Sequence, residues 1–440
     1  MTQPDSPQTQ KDKDLTDLDV ADLDVADLDV ADLDVADLSI ADVDIAIVGG
    51  AMTGATLTLG LQQLSTQNRP LKVALIEASR PDQQPDLHQG FDARSIAIAH
   101  GSIFQLTRLG LWPKLAHLGT PIENIHVSDR GHFGMTTLNA ADFHLPYLGQ
   151  VVELEKVGAA LFSQLDKSDA QLYCPAKLAS MQPGVGNNLL QLDDGRKIRA
   201  KLVVAADGLN SVVRRAVNLP LEQVDFQQRA IVANIATDKS HQAWAYERFT
   251  QTGPLALLPM GKQDGQHRLS LVWAVSPEQA EQLLELPESE FLHSLQQAFG
   301  HRAGRFIGVG QRYSYPLMLS YMPRPIFQRT VFIGNAAQTL HPIAGQGFNL
   351  GLRDLVDLIE AIDNALQNDE DLGGAKLTHA YLAKRQADRE STINNVECLV
   401  RGFSNQHWPL VAGRNLGLRL LSWCPPLKTP IARIAMGWKG

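Results

Sequence analysis

The run Val43-Asp-Ile-Ala-Ile-Val48, followed by Gly49-Gly50-Ala51-Met52-Thr53-Gly54 and a stretch rich in Leu, Thr and Ala to Leu64, constrains this chain more than any other feature. A short β-branched apolar run, a glycine turn and a helix-forming segment read as strand, turn and helix, and Leu71 to Ile76 supplies a second strand closed by Glu77. Together they make a βαβ unit that opens a parallel sheet. At such a turn, backbone N–H groups and the helix dipole can hold a pyrophosphate, and Glu77 stands where a carboxylate accepts from a ribose hydroxyl. Ala51 replaces the middle glycine of the fingerprint, and its methyl crowds the closest approach to the phosphates. By itself the motif does not distinguish FAD from NAD, and a plain tight turn also fits it.

The rest of the chain narrows the class. With 440 residues, 44% of them hydrophobic, it can build a large core and two intertwined domains. Residues 1–44 hold fourteen Asp and two Lys, so the net charge of -9 belongs to the N-terminus and the remaining body is close to neutral. Residues 17–40 repeat Asp-Leu-Asp-Val-Ala with drift; a period of five matches neither helix nor strand, and 1–42 reads as a solvated, disordered acidic tail. Cys174, Cys398 and Cys424 are too widely spaced for a disulfide framework or a CxxC site, which suits a reducing cytoplasm. Thirteen His show no HExxH or paired Cys/His spacing, so no metal is expected. No signal peptide is readable, and the longest uncharged run, Val331 to Leu352, carries Asn335, Gln338, His341, Pro342, Gln346 and Asn349, which marks a lined loop rather than a membrane span.

Two further motifs follow strands. Leu202 to Ala205 runs into Ala206-Asp207-Gly208-Leu209-Asn210-Ser211-Val212-Val213-Arg214, which also reads as a simple turn with Ser211 as a helix N-cap. Val331 to Ile333 runs into a glycine-punctuated loop, Gly334 to Gly351, that enters a helix over Gly351 to Gln367 and offers N–H donors at its positive end. Ile122 to Val127, Phe226 to Ile235 and Leu269 to Val275 have strand character and point to an inserted, mainly β, domain. From Arg401 to Gly440 there is no acidic residue but six Lys or Arg with the apolar positions Trp408, Leu410, Leu416, Leu418, Leu420, Leu421, Trp423 and Trp438. That composition suits an anionic membrane surface and equally a helix packed on the core with a basic outer face; Pro409, Pro425, Pro426 and Pro430 limit any helix to the pieces between them.

In this order and at these separations, the three motifs resemble the flavoprotein aromatic hydroxylases of the para-hydroxybenzoate hydroxylase type, from about Asp44 to the C-terminus. Within that family the strings FDARSIAIA (91–99), AYERFT (245–250), GPLALLPM (253–260) and GNAAQTLHPIAGQGFNLG (334–351) are similar to the ubiquinone-pathway hydroxylases that act on a polyprenyl 6-methoxyphenol. The resemblance implies an α/β fold: a Rossmann-like FAD-binding domain (43–118, 150–223 and 310–375), an inserted mainly β substrate domain (119–149 and 224–309), and a helical, basic amphipathic C-terminal segment (376–440). It implies that Gly49, Gly50, Gly54 and Glu77 hold the ADP half of FAD, that Arg94 lies near its phosphates, and that Asp207 and Gly208 bridge FAD and the reduced nicotinamide where one is used. Most relatives have Gly-Asp where this chain has Gly334-Asn335; the Asn form occurs in the ubiquinone group and keeps an acceptor without the charge. The backbone around Gly345, Gly347, Phe348 and Asn349 would stabilise the charge that reduction places on the ring.

The chemistry so implied is hydroxylation of an electron-rich phenol by a C4a-hydroperoxide of the reduced flavin, with NAD(P)H or a partner reductase as donor. The expected partners are a polyprenyl phenol, dioxygen, other ubiquinone-biosynthesis proteins and the inner membrane surface on which a cytoplasmic protein could sit peripherally; no nucleic acid is expected. His341, Tyr246 and Arg248 are the candidates to line the pocket, and each also fits a structural packing role. Three other readings share this fold: hydroxylation at a different ring position or of another aromatic substrate, a flavin reductase or dehydrogenase that releases no oxygenated product, and a flavin-fold subunit with little turnover of its own.

Overall fold

Strands whose residues are apolar on both faces can only be central strands of a covered sheet. In the computed structural model, which describes residues 40–65, 70–81, 94–342, 345–403, 408–423 and 425–437, that is where Ala41–Val48 lies. It pairs in parallel with Val73–Ile76 on one side and Lys197–Ala205 on the other, and the parallel array is extended by Gln171–Tyr173 and Thr330–Phe332. Ile45 and Ile47 enter the core beneath the helices Met52–Ser65, Leu154–Leu165 and Gln346–Gln367, while Ala46 and Val48 enter a second core under the hairpin of Leu178–Gln182 and Asn188–Leu192. The expected acidic tail lies almost wholly outside the described residues.

The inserted domain is a nine-stranded sheet among the described residues, antiparallel except where Trp244–Phe249 runs alongside Asn124–Asp129. Its outer face is covered by the helices Pro277–Glu285 and Glu288–Phe299, whose Leu283, Phe291 and Leu295 pack on Tyr246, Leu257 and Trp273. Tyr313–Tyr321, grouped by the sequence reading with the FAD domain, belongs to this sheet through its long pairing with Glu222–Thr237. The expected strand Ile122 to Val127 is two strands: Thr120–Ile122 joins a three-stranded sheet with Ser95–Ala99 and Gly149–Glu153, and Asn124–Asp129 joins the large one. The chain changes sheets at Glu123, whose N–H donates to Ala243 O and whose carbonyl accepts from Ala140 N.

The C-terminal part is helical, as Ala375–Phe403, Trp408–Trp423 and Pro425–Ala435. The last helix continues through Pro430, against the expectation that prolines would bound it. Pro430 is exposed, so the carbonyl its ring leaves without a partner faces water, and Pro425 and Pro426 sit in the first turn, where no N–H is needed. Among the described residues no helix is long and apolar enough to cross a membrane.

Candidate active site

The first glycine turn is shaped by close approach. Gly49 has φ +99, and a Cβ there would lie 2.5 Å from Ala206 O; a Cβ on Gly54 would lie 1.8 Å from Gly49 O. Only hydrogen fits at either position, and the result is a helix N-terminus presented at the carboxyl edge of the parallel sheet. Glu77 is buried immediately after the second strand, where its carboxylate accepts from the N–H of Gly50 and from that of Ser79 at 3.1 Å.

Asp207 extends the same edge. Its Oδ2 accepts from Val212 N at 2.7 Å and Val213 N at 3.2 Å, while Oδ1 is buried with no hydrogen-bond partner among the described residues, and burial pushes the carboxyl pKa up. An orphaned buried acceptor costs roughly 1–3 kcal/mol, so this oxygen is set to receive a donor from a bound group. Gly208 follows in the turn, and Ser211 caps the next short helix, accepting from Arg214 N at 3.0 Å. The reading of this segment as a turn with Ser211 as the helix N-cap holds.

The third motif meets the first at Gly334. A Cβ on Gly334 would stand 3.0 Å from Thr53 Oγ1, and one on Gly351 would stand 3.1 Å from Gly334 Cα. Asn335 is exposed in a short 3-10 turn. The helix Gln346–Gln367 starts after Gly345, Gly347 is half-buried near Leu340, and Phe348 packs on the main core. Asn349 pins this helix start to the strand Ser95–Ala99: Oδ1 accepts from Ala99 N at 2.9 Å and Ser102 Oγ at 2.8 Å, and Nδ2 donates to Ala97 O at 3.1 Å and Gly345 O at 2.8 Å.

Behind the loop lies a buried ionic cluster that the sequence reading missed. Asp354 accepts from Gly334 N at 3.2 Å, from Gln338 Nε2 and from Arg385 Nε at 2.8 Å; fully buried Arg385 also pairs with Asp357 and Asp388, and Arg389 donates to Gln338 Oε1 at 2.9 Å. The signal was charge at helical spacing in otherwise apolar company, with Asp354 and Asp357 three residues apart.

Opposite the helix start stands the inner face of the large sheet. Along Trp244–Phe249 the side chains alternate. Ala245 packs with Ile122 and Val151 against Ala97 and Leu258, and Phe249 packs with Leu340 and Leu350, so both face the FAD domain. Glu247, between them, faces the same way; it retains accessible surface deep in the protein, has no hydrogen bond or ion pair among the described residues, and burial pushes its pKa up to about 7. Tyr246 and Arg248 face the other side. Tyr246 stacks edge-on against Phe299 at 5.4 Å, and Arg248 has a buried Nε without a partner among the described residues, its pKa lowered by burial and by Arg130 and Arg302. His341 is fully buried, edge-on to Phe226 at 5.5 Å with a ring nitrogen 3.3 Å from Gln228 Oε1, and burial brings its pKa down to about 4, leaving it neutral. The Arg94 guanidinium lies over the Tyr315 ring at 5.1 Å, where a cation meets the large sheet. Among the described residues no His, Cys, Asp and Glu group could hold a metal ion.

The closed glycine turn, the buried Glu77 carboxylate and the orphaned Asp207 oxygen suit the phosphates and hydroxyls of a dinucleotide such as FAD. Comparison with known proteins agrees. A family model described as FAD binding domain matches residues 42–395. The chain is 34% identical over 366 residues to ubiquinone hydroxylase UbiL of Rhodospirillum rubrum, covering 83% of this chain and 84% of the relative. It is 30% identical over 385 residues to 3-demethoxyubiquinol 3-hydroxylase of Escherichia coli, covering 86% and 95%. Among solved structures, p-nitrophenol 4-monooxygenase PnpA from Pseudomonas putida DLL-E4 superposes with a TM-score of 0.74 at 16% identity, over 91% of this chain and all of that one.

Proposed function

Since the chain belongs to the FAD binding domain family and, within it, to the FAD-dependent monooxygenases of ubiquinone biosynthesis, we propose that it hydroxylates the ring of a polyprenyl 6-methoxyphenol. The observation that carries this reading is the apolar lining that joins the start of the helix Gln346–Gln367 to the inner face of the large sheet, one cluster holding Ala97, Ala245 and Leu258 and another Phe249, Leu340 and Leu350, beside the dinucleotide cradle. An apolar interior admits a prenylated ring and excludes water from a reactive oxygen species.

In this reading Gly49, Gly50, Gly54 and Glu77 hold the ADP half of FAD, and Asp207, Gly208, Gly334 and Asn335 bind its hydroxyl-bearing linker. The N–H groups at Gly345, Gly347, Phe348 and Asn349 face the ring at the positive end of the helix. FAD, once reduced by NAD(P)H or a partner reductase, supplies the activation of dioxygen. Neutral His341 borders the pocket, and Arg94 neutralises anionic charge on the cofactor side.

Substrate delivery fits the C-terminal face. Leu416, Leu420 and Trp423 are 53%, 45% and 69% exposed along one side of the helix Trp408–Trp423, beside exposed Phe133 and Met135, with Arg419 over the Phe133 ring. Apolar side chains interspersed with cations suit peripheral contact with an anionic lipid surface. Likeness to a 3-hydroxylase favours a second reading, oxygenation at another ring position. The deciding experiment is incubation of the reduced FAD-loaded protein with 2-methoxy-6-prenylphenol and labelled dioxygen. One labelled oxygen in the ring is expected, and its position separates the two readings. Flavin reoxidation with hydrogen peroxide as the sole product would overturn both.

A further inference from the structure

We infer that Glu247 is the proton acceptor for the phenol hydroxyl of the substrate. This assignment rests on the phenol reading above and names the residue that performs its acid-base step.

The placement comes from register. Glu247 pairs with Val127 on one side and Ala256 on the other, neither ionisable. Its neighbours on the same face bracket the helix start: Ala245 shares an apolar cluster with Ala97, whose carbonyl holds Asn349, and Phe249 shares another with Leu340 and Leu350, which flank the Gly345 to Asn349 segment. A side chain between those two clusters faces the segment where the flavin ring is assigned. The flanking strands carry His126, which lies against Tyr246 on the other face, Asp129 and exposed Lys262, and Arg94 and His341 stand on neighbouring elements. Asp129 accepts from Asn415 Nδ2 at 2.9 Å, and no hydrogen bond or ion pair joins any of these groups to Glu247 among the described residues. A carboxylate that is deep, still accessible and without a partner among the described residues is costly to the fold unless it has work to do there. Burial alone raises its pKa to about 7, which keeps both protonation states populated near neutral pH.

In the step itself the phenol O–H bond breaks, the proton forms a carboxyl O–H on Glu247, and the electron pair stays on the phenolate, enriching the ring carbon to be oxygenated. No other co-reactant is required. Tyr246, packed on Phe299, and Arg248 lie on the opposite face of the strand.

The test uses full-length, FAD-loaded wild type, Glu247→Gln and Glu247→Asp with 2-methoxy-6-prenylphenol. Binding is followed by flavin fluorescence, and ionisation of the bound phenol by its ultraviolet difference spectrum against pH. The expected result is that Glu247→Gln binds FAD and the phenol like wild type, shows no ionised bound phenol through neutral pH, and hydroxylates about 100-fold more slowly. Glu247→Asp should recover part of the ionisation signal. A Glu247→Gln protein with the wild-type ionisation curve and rate would overturn the assignment. If wild type itself fails to bind or oxygenate the phenol, the substrate reading falls and the assignment falls with it.

Discussion

The dinucleotide cradle and the ring pocket lie side by side but are built differently. The cradle is formed from a turn and the ends of neighbouring parallel strands, and its demands are local: no room for a Cβ at Gly49 or Gly54, and carboxylates at Glu77 and Asp207 just beyond strand ends. The pocket has no such motif. As proposed, it is assembled from Ala97, Glu247, Leu340 and the Gly345 to Asn349 segment, on elements held by pairing of distant strands and by the ionic cluster around Arg385. A site written in short-range sterics can be read from a string of letters, whereas a site written in sheet register cannot.

Substitutions can break or sharpen this contrast. The largest effect is expected behind the pocket. Arg385→Leu takes the ion pair from buried Asp354, while Asp357 keeps Lys384 and Asp388 keeps Arg353, and should cost about 3–5 kcal/mol in chemical denaturation, with loss of bound flavin. In the cradle, Gly54→Ala places a methyl against Gly49 O, and overpacking of about 1–3 kcal/mol should weaken FAD binding by roughly 10- to 100-fold in a fluorescence titration while the pocket face stays folded.

The pH dependence of stability probes Glu247 independently of activity. Its folded pKa of about 7 lies above its ordinary 4.5, so the folded state holds the proton more tightly. Below pH 4.5 wild type and Glu247→Gln should be equally affected by this group. As pH rises from about 4.5 to about 7 wild type should lose stability relative to the variant, by on the order of 2 kcal/mol, and the difference should then level off. Parallel curves for the two proteins would mean that the carboxyl is not buried as described.

Two smaller effects compare the regions residue by residue. Asn335→Asp restores a charged acceptor at the linker and should tighten FAD by about 1 kcal/mol, close to fivefold, in the same titration. Tyr246→Phe removes a hydroxyl on the outer face and should change hydroxylation less than about twofold, because it leaves the packing on Phe299 intact.

The strings around residues 245–250 and 334–351 show where legibility stops. AYERFT forms a strand, but sequence alone gave no reason to separate the face of Ala245, Glu247 and Phe249 from that of Tyr246 and Arg248. The clusters on either side show which face meets the FAD domain, those with Ala97 and with Leu340 on one side and that with Phe291 and Phe299 on the other. The loop from Gly334 was recognisable as a donor-rich approach to a helix, yet Asp354 of that helix is held by Arg385, and Gln338 by Arg389, from the separate helix Ala375–Phe403.

What the chain determined by itself was the βαβ opening, the glycine turns, the carboxylates beyond the strand ends and the membership that follows from their order, because backbone sterics and strand-helix alternation act over a few residues. What the tertiary structure decided was which side of the strand Trp244–Phe249 faces the FAD domain, where one apparent strand divides between two sheets at Glu123, and which buried charges hold the loop. Those depend on register and on contacts across hundreds of residues, where a shift of one position turns every side chain to the other face.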